Sequence, residues 1–484
     1  MALIDIGSRK QLFVDDYLIE SMDHCVKTMN RAEKVPGNPV LRAEHPWEGR
    51  HLIVDEVWWD DEAGRFEMRY SARTWVGRRV KDEVLLEEKD RSRTCLAVSE
   101  DGIEWEKPVV GEVEFEGSKQ NNILPSDWLM GYTYPDPNAS DEKRFRGHVR
   151  AGDTRAPGMT MDLYTSPDFK SWTPYVHNPI IDTSPKIGRW GPTSFMGWDP
   201  IREVYAVHLE NSRHRRSPLG KRLIGRAESP DGIVWSEPET ILVPDAQDPP
   251  DTEFYSMPCT AYEGLYVGLL WIFRTTNTTH HPEVVFSRDG IHYERNYRQP
   301  FIERGGGSDF DSISVYAKES IVVGDQIYTF YNGRNWRSHD TLIELGDGAR
   351  ADIGLAVSRL DGFVSVDGTK ALAGDPPLGR PHFAEYSELV TRSFSFTGSQ
   401  LHLNLASAPR HGGAGPCEVR VEILEPYHDY IPGYAFEDAD PIEEGGLDQV
   451  TSWNGSSDLS RLEGQPVKLR FYFRNAKLYS FQFR

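Results

Sequence analysis

Short runs of mostly apolar residues recur along the chain, and each run ends in a serine-to-aspartate turn. The runs are Leu96–Val98, Met161–Tyr164, Leu223–Arg226, Val284–Phe286 and Ile353–Val357. The turns that follow them are Ser99–Gly102, Ser166–Phe169, Ser229–Gly232, Ser287–Gly290 and Ser358–Gly362. Successive aspartates lie 58 to 72 residues apart, which is enough chain for one four-stranded sheet per unit. Five such units predict an all-β fold, a five-bladed β-propeller.

The composition of the turns supports a structural role for their aspartates. Aspartate forms local hydrogen bonds to the backbone, and glycine supplies the positive φ that a tight turn requires. Four copies also place an aromatic residue four positions after the aspartate, namely Trp105, Trp172, Trp235 and Tyr293. We therefore expect these aromatic side chains to pack between neighbouring sheets.

The pattern changes after the fifth unit, which predicts a second domain. A stretch rich in glycine and proline, 368–381, is followed by segments of plain alternation such as Leu401–Leu405 and Val467–Phe473. Such alternation is typical of antiparallel sheets with one buried face. We predict a propeller over residues 1–380, with an N-terminal strand closing the ring, and a C-terminal β-sandwich over residues 388–484.

The net charge limits the partners. The chain carries a formal charge of −21 at pH 7, so phosphate backbones and anionic membranes should repel it. The basic run Arg213–Arg216 is the local exception, and we interpret it as a solvated hairpin tip. No apolar run approaches the ~20 residues of a membrane span, and the N-terminus lacks the apolar core of a signal peptide. We expect a cytoplasmic protein with no nucleic-acid or membrane partner.

No cofactor is indicated by the motifs of the chain. The four cysteines, Cys25, Cys95, Cys259 and Cys417, are scattered without metal-binding spacing, so reduced thiols are expected. Phosphate-binding loops, HExxH and nucleophile-elbow motifs are not found in the sequence. A calcium ion is compatible with the fold but has no diagnostic ligand motif, and the oligomeric state stays open.

Acidic and aromatic residues stand where the innermost strand of each predicted blade begins. They are Asp55, Glu56, Asp136, Trp190, Thr193, Asp251, Glu253, Tyr255, Asp309 and Asp311. Strand beginnings from different blades converge at the mouth of the propeller channel. Carboxyl groups held together there raise one another's pKa. A pair of carboxyl groups, one acting as acid and one as base, is what cleavage of a glycosidic bond requires.

Several segments resemble a known class of enzymes. Asn38–Leu41, Trp47 and Val57–Ser71 are similar to the opening blade of five-bladed propeller glycoside hydrolases, the group that includes families 32, 43, 68, 117 and 130. Gln11–Glu20 resembles a set of bacterial glycosyl-hydrolase-like proteins. The resemblance covers nearly the whole chain and implies a hydrolase of a small glycoside or an oligosaccharide terminus.

The resemblance to families 43 and 130 implies an aspartate at the beginning of the first inner strand. Here either Asp55 or Glu56 matches that position, and strict strand alternation would turn only one of them into the channel. We predict Glu253 as the general acid and Asp55 or Glu56 as the base or nucleophile. Asp311 and Asp136 are expected to hold substrate hydroxyls or to stabilise positive charge. The candidate substrate-binding residues are Trp47, His51, Trp190, Tyr255 and Arg274.

Two other functions fit the same sequence. A glycoside phosphorylase would need arginines for phosphate beside one acid, and Arg213, Arg215, Arg216 and Arg274 are the candidates. A propeller that only binds glycans or docks proteins is the third possibility, because one fold hosts many functions. Sugar release with and without added phosphate separates the first two, and binding without turnover indicates the third.

Overall fold

The structure, a computed structural model, is built almost entirely of β-strands. It describes residues 3–73, 77–80, 83–86, 93–125, 131–151, 160–169, 171–182, 189–212, 220–337, 348–368, 386–408, 417–427 and 429–484. Side chains of 77–80, 83–86, 131, 150–151, 182, 189–193 and 211–212 lie outside this description. Within these residues the helical structure is 3-10 turns such as Asp141–Lys143 and Ser460–Leu462. The all-β class predicted from the sequence is confirmed.

The chain folds into two compact units. The larger unit comprises Ala32–Val323 and Ile327–Val357, and the smaller comprises Met1–Arg31, Gly324–Gln326 and Ser358–Arg484. The N-terminal strands, which belong to the smaller unit, are β1 (Ile4–Asp5), β2 (Gln11–Leu12), β3 (Ile19–Asp23) and β4 (Cys25–Met29).

The strands that follow build the larger unit. Those of its first half are β5 (Glu33–Lys34), β6 (His51–Asp60), β7 (Arg65–Arg73), β8 (Gly77–Val80), β9 (Glu83–Leu86), β10 (Arg93–Ser99), β11 (Gly131–Pro135), β12 (Phe145–Ala151), β13 (Thr160–Ser166), β14 (Thr173–Pro174) and β15 (Ile181–Asp182). Those of its second half are β16 (Arg189–Asp199), β17 (Val204–Ser212), β18 (Ile224–Ser229), β19 (Glu239–Leu242), β20 (Thr252–Phe254), β21 (Cys259–Tyr262), β22 (Leu265–Arg274), β23 (Thr279–Ser287), β24 (Tyr293–Glu294), β25 (Ser314–Val323), β26 (Gln326–Arg334) and β27 (Ala351–Arg359).

The larger unit is assembled from strands that pair with their neighbours in sequence. The groups are β6-β7-β10, β11-β12-β13-β14, β16-β17-β18-β19, β22-β23-β24 with β20 and β21 on the open edge of β22, and β25-β26-β27. The short N-terminal strand β5 pairs antiparallel with β27 and so adds a strand to the last group. An N-terminal strand thus pairs with the last group at Glu33–Lys34, and closure of a ring by it stays a prediction.

The first strands of the five groups meet one another. Among the described residues, β6 contacts β11, β11 contacts β16, β16 contacts β21, β21 contacts β25, and β25 contacts β6. This closed cycle brings five strands that are far apart in sequence around a common centre. The number of five blades stays a prediction, and the cycle agrees with it.

The repeated turns have the hydrogen bonds that their sequence predicts. In the first, the Ser99 hydroxyl accepts from the Gly102 amide at 2.8 Å, and the Asp101 carboxylate accepts from the amides of Ile103 and Glu104 at 2.8 and 2.9 Å. The turns at Ser229 and Ser287 repeat the same contacts. Gly102 has φ +76°, a left-handed conformation that favours glycine.

The aromatic residues after these turns lie between neighbouring groups of strands. Trp105 packs edge-on against Phe330 of β26 and donates its indole N–H to the Gly102 carbonyl at 2.8 Å. Trp235 contacts His148 of β12, and Tyr293 contacts His208 of β17, in each case a residue of the preceding group. These side chains are half-buried and join adjacent sheets, as predicted.

Trp105→Ala is expected to destabilise the protein by about 2–3 kcal/mol. This is below the ~3–5 kcal/mol of a fully buried tryptophan because Trp105 is only half-buried. Urea unfolding measures the loss, and turnover of the remaining folded protein should equal that of the wild type. A variant of wild-type stability would contradict the packing role.

The C-terminal strands complete the smaller unit. They are β28 (Val364–Gly368), β29 (Ser387–Thr391), β30 (Phe394–Ser395), β31 (Leu401–Ser407), β32 (Glu418–Leu424), β33 (Gly446–Val450), β34 (Lys468–Arg474) and β35 (Ala476–Phe483). One sheet has the order β33-β31-β35-β28-β4 with β2 on β35, and the other has the order β3-β29-β34-β32. Phe471 of the second sheet and Phe481 of the first lie in one apolar core.

The smaller unit begins earlier than the sequence predicts. Residues 1–31 and the strand Val364–Gly368 belong to it, whereas the predicted sandwich starts at residue 388. The reason is the burial of Ile6, Phe13 and Leu18 in its core. A short apolar run does not reveal which distant sheet will cover it, so the local pattern could not place this boundary.

The described part of the structure also lacks two kinds of feature. No helix there has the length and apolarity needed to cross a membrane. No group of three or more histidine, cysteine, aspartate or glutamate side chains there is arranged to hold a metal ion.

Candidate active site

A cavity of about 180 Å³ lies where the first strands of the larger unit meet. We call it the central cavity. Its lining comes from all five groups of strands: Ile53, Val54, Asp55, Arg73, Tyr132, Ser194, Pro258, Trp271, Lys318 and Asn332. A polar cavity of this volume has room for several water molecules. Asp55 is the only carboxylic acid among these lining residues.

Asp55 reaches the cavity because strand β6 is bulged at this residue. Val54 pairs with Tyr70 and Glu56 pairs with Arg69, so Asp55 is the extra residue between two regular pairs. A bulge interrupts the strict alternation of side chains between the two faces of a strand. Asp55 lines the cavity and Glu56 does not, although both carboxyl groups act on Lys318.

Both acids are held in surroundings that favour the protonated form. Burial raises the pKa of Asp55, although the Ser71 hydroxyl, which donates to its carboxylate at 2.6 Å, acts in the opposite direction. Burial raises the pKa of Glu56 to about 8, against the lowering effect of Lys318. Asp55 and Glu56 each keep some surface accessible to solvent. The pair Asp55–Glu56 therefore carries at least one proton at neutral pH.

Three cations surround this acid pair. Arg69 and Arg73 project from β7, and Lys318 projects from β25 with its ammonium group 5.7 Å from the centre of the Tyr132 ring. The positive charges of all three act to lower the pKa of Asp55, against the larger effect of burial. Burial lowers the pKa of Lys318, but the nearby carboxyl groups, Glu319 first among them, outweigh this effect. The pKa of Lys318 therefore lies above its usual value, and the ammonium group stays charged at neutral pH.

One wall of the cavity continues into a cluster of aromatic rings. Trp271 donates its indole N–H to the Ala317 carbonyl at 2.9 Å, which fixes the plane of the ring. The ring of Tyr255 lies nearly parallel to it, with centroids 6.5 Å apart. Tyr255 also meets the ring of His280 edge-on, at 5.1 Å. Aromatic faces of this kind are suited to packing against the apolar face of a sugar.

Glu253 is not among the residues that line the cavity. It lies on β20, where the Arg222 guanidinium forms an ion pair with it and with Glu210. The same guanidinium lies over the rings of Tyr255 and Phe273, at 5.8 and 5.2 Å from their centroids. Because Arg222 holds the Glu253 carboxylate away from the cavity lining, this geometry suits a positioning group.

Arg274 and Asp251 are paired with each other. The guanidinium of Arg274 donates to the Asp251 carboxylate at 2.5 and 2.9 Å. This hydrogen bond is the main reason that the pKa of Asp251 falls to about 2. Neither residue lines the central cavity.

Asp136 and Asp311 are buried and fully engaged elsewhere. Asp136 follows β11 in a hairpin turn, where it accepts hydrogen bonds from Tyr205 and the Asn138 amide and pairs with Arg146. Asp199 has the same arrangement after β16, with Tyr266 and Arg226. This recurrence in two sheets indicates a structural role.

Asp311 has a similar arrangement before β25. It pairs with Lys34 and accepts hydrogen bonds from the Tyr331 hydroxyl and the Gly305 amide. The structure does not bring Asp136 or Asp311 to the cavity lining.

The structure places two other sequence-predicted binding residues, Trp47 and His51, outside the lining of the central cavity. Trp47 donates its indole N–H to Asn122 at 2.8 Å and stacks on His45, so it packs beside the outer strands of its sheet. His51 pairs in register with Arg73 and meets Trp336 edge-on. Burial lowers the pKa of His51 to about 3, with Arg73 and Arg334 acting in the same direction, so the ring is neutral.

Two sequence-predicted features fall outside the described part of the structure. Trp190 and Thr193 lie on β16, but their side chains are not described. The basic run 213–216 is likewise outside the described residues.

Four residues at or beside the cavity are not predicted from the sequence: Arg69, Arg73, Lys318 and Trp271. A signal for the two arginines was present, since Arg65, Glu67, Arg69, Ser71 and Arg73 alternate with apolar residues along β7. Such regular alternation predicts a polar face on a strand next to the centre. Lys318 and Trp271 had no comparable signal, because Lys318 is followed directly by Glu319 and Ser320 without alternation, and Trp271 lies within a continuous apolar run.

No protein-family model matches the chain, and no curated protein sequence matches it. Solved structures resemble it at low identity. One is a glycoside hydrolase, 12% identical, covering 76% of this chain and 96% of its own, with a TM-score of 0.46. One belongs to the GH130 mannoside phosphorylases and hydrolases of β-1,2 mannosidic linkages in Candida mannan, 15% identical, covering 76% and 99%, with a TM-score of 0.43.

A third similar structure is an N-acetylgalactosamine deacetylase from F. plautii in complex with blood group B trisaccharide. It is 15% identical, covers 75% of this chain and 97% of its own, and has a TM-score of 0.41. These structures include the class of enzyme that the sequence resembles. At such identities and TM-scores, the activity of the chain has to be argued from its own residues.

Proposed function

We propose that the chain is a glycoside hydrolase that acts on a small glycoside or an oligosaccharide terminus, with its chemistry in the central cavity. The observation that carries the proposal is the acid pair Asp55–Glu56 at the bulge of β6, with Asp55 in the lining of the central cavity, which we take to hold one sugar ring. The indole of Trp271 provides an apolar wall for that ring. Asp55 is the member of the pair that a substrate in the cavity would touch.

The proposed chemistry begins with a proton on Asp55. Transfer of this proton to the glycosidic oxygen accompanies cleavage of the bond between that oxygen and the anomeric carbon. Water then adds to the anomeric carbon and loses a proton, which restores the acid pair. Burial favours this role because it raises the pKa of Asp55 and so favours the protonated acid that a proton donor requires.

This arrangement reverses the roles predicted from the sequence. There, Glu253 was the general acid, and Asp55 or Glu56 was the base or nucleophile. The ion pair of Glu253 with Arg222 and the buried setting of Asp55 favour Asp55 as the donor. The assignment of Glu253 as the proton donor stays a prediction. The kinetics of the Asp55→Asn and Glu253→Gln variants can decide it.

A glycoside phosphorylase is the second candidate, and one observation favours it. The cavity lining holds a single carboxylic acid beside two cations, Arg73 and Lys318. A phosphorylase needs one proton donor and a cationic site for phosphate, whereas a hydrolase ordinarily uses two carboxyl groups.

Product analysis with and without phosphate tests both functions. The protein is incubated with a panel of aryl glycosides and short oligosaccharides, and the free sugar and sugar 1-phosphate are quantified. We expect free sugar in both conditions. Sugar 1-phosphate that forms only with added phosphate would replace the hydrolase by the phosphorylase. Saturable sugar binding without any product would leave a glycan-binding protein.

A further inference from the structure

A second cavity, of about 320 Å³, lies in the larger unit between the first and second groups of strands. We call it the side pocket. Most of its described lining is apolar, and the side chains used below are Leu96, Val98, Val109, Leu124, Phe169 and Trp172. It shares none of its described lining residues with the central cavity. A concave apolar pocket with a few polar groups is the usual form of a small-molecule site.

Arg69 is a buried polar residue in the lining of the side pocket. It is 3% exposed, and its Nη1 donates to the Thr133 hydroxyl at 3.4 Å, which is long for a hydrogen bond. Its Nε has no hydrogen-bond partner among the described residues. A buried N–H without an acceptor is destabilising. A ligand that brings an oxygen acceptor to Arg69 would therefore be bound favourably.

Phe169 departs from the pattern of the repeated turns. Three other turns have a glycine directly after their aspartate, with φ between +73° and +76°: Gly102, Gly232 and Gly290. Phe169 occupies the same place with φ +62°, a left-handed conformation that is strained for a bulky residue. Its ring lies 4.7 Å from the Arg69 guanidinium and 5.5 Å from the Trp172 ring. The strained residue thus forms an aromatic wall of the side pocket.

The charges of the side pocket indicate a neutral ligand. Arg65, which also lines the pocket, pairs with Glu67 at 2.7 Å. Glu112 stands in the same lining as Arg69, so the formal charges of these four residues cancel. Asp55 and Glu56 also act on Arg69, and they can only make this balance more negative. What Arg69 offers is therefore a hydrogen-bond donor without a surplus of positive charge.

We infer that the side pocket binds a neutral small molecule that carries an aromatic ring and an oxygen acceptor. The ring would pack between Phe169, Trp172 and the aliphatic side chains, and the oxygen would accept from Arg69. A cavity of about 150 Å³ is enough for benzene, so a substituted ring fits. This site lies outside the central cavity and would bind its ligand whether or not the chain is a hydrolase.

Ligand-observed NMR titration of the full chain tests the inference. The probes are benzamide, toluene, benzoate and D-glucose. Benzamide should bind about tenfold or more tightly than toluene, which has the ring without the acceptor, because one hydrogen bond to a charged donor is lost. It should also bind more tightly than benzoate, since the pocket has no surplus of positive charge. D-Glucose, which has acceptors but no aromatic ring, should not displace it.

Variants assign the binding to the side pocket. Arg69→Met keeps an apolar stem and removes the donor, so it should abolish the advantage of benzamide over toluene. Val234→Ala is the control, because Val234 is 67% exposed in the equivalent turn of the third repeat and lies outside the described lining. It should bind both probes like the wild type.

A second variant keeps the test decisive if Arg69→Met fails to fold. Phe169→Gly introduces the residue of the other turns, which relieves the strained backbone and removes the aromatic wall. It should weaken benzamide and toluene alike, by up to about tenfold.

Four results would overturn the inference. Equal affinity of the wild type for benzamide and toluene would remove the role of Arg69. Wild-type binding by folded Arg69→Met or Phe169→Gly would place the probes elsewhere. Tighter binding of benzoate than of benzamide would assign the pocket to anions, and displacement of benzamide by D-glucose would assign it to sugars.

Discussion

Asp55→Asn is expected to lower turnover of a glycoside with a poor leaving group by about 10²–10⁴-fold, the ordinary contribution of a general acid. Asparagine keeps the shape of the side chain, and the Ser71 hydroxyl can still donate to it. It has no transferable proton, so only the chemistry should change. An activated aryl glycoside needs little protonation of its leaving group and should lose much less. Steady-state kinetics on the two substrates measures the difference.

Glu253→Gln is the matched comparison, because it also replaces a carboxylic acid by an amide in the same unit. With Glu253 as a positioning group paired to Arg222, its loss should be similar on both substrates and smaller than that of Asp55→Asn. A selective loss on the poor leaving group in Glu253→Gln, with normal Asp55→Asn, would restore the donor predicted from the sequence. Equal loss on both substrates in Asp55→Asn would make Asp55 a base or nucleophile.

Glu56→Gln is expected to change how the stability of the protein depends on pH. The unfolded glutamate loses its proton near its ordinary value of 4.5, whereas burial keeps the proton on folded Glu56 up to about pH 8. Between these values the folded protein binds one more proton, so stability falls as pH rises. The free energy of unfolding of the variant lacks this fall. Relative to the wild type it should rise by on the order of 4 kcal/mol from pH 4.5 to 8, at about 1.4 kcal/mol per pH unit.

Chemical denaturation at several pH values measures this difference. The wild type and Glu56→Gln should differ most in slope between pH 5 and 8 and should run parallel above pH 8. Glu62→Gln, at an exposed glutamate of the β6–β7 turn, is the control and should follow the wild type. If the stability of Glu56→Gln instead fell relative to the wild type as pH rose, Glu56 would be ionised in the folded protein and paired with Lys318.

The repeated turns show what local chemistry can specify. Ser99, Asp101 and Gly102 form their turn through hydrogen bonds that span three residues or fewer. The same holds for the equivalent turns, so the spacing of these residues was sufficient to predict repeated sheets. The aromatic partners were predictable as a class, because a large apolar side chain after a tight turn needs a neighbour. The identity of the neighbour was not predictable from the sequence. Phe330, which packs against Trp105, is an example.

The acid pair shows where prediction from the sequence stopped. Asp55 and Glu56 were both candidates, but the alternation rule allowed only one of them at the centre. The bulge at Asp55 depends on how β6 pairs with β7, and the pairing register is a property of two strands. The cations from β7 and β25 then set the charge, although Lys318 is more than 260 residues from Asp55 in the chain.

By itself the sequence determined the all-β class and the repeated turns, because each depends on contacts within a short stretch of chain. Only the tertiary structure decided which residues meet at the centre, since strand pairing and packing bring together side chains from five separate groups of strands. It also decided the protonation of Glu56, because desolvation depends on everything that surrounds a carboxyl group. The placement of residues 1–31 with the smaller unit was decided in the same way, by burial against strands more than 350 residues later.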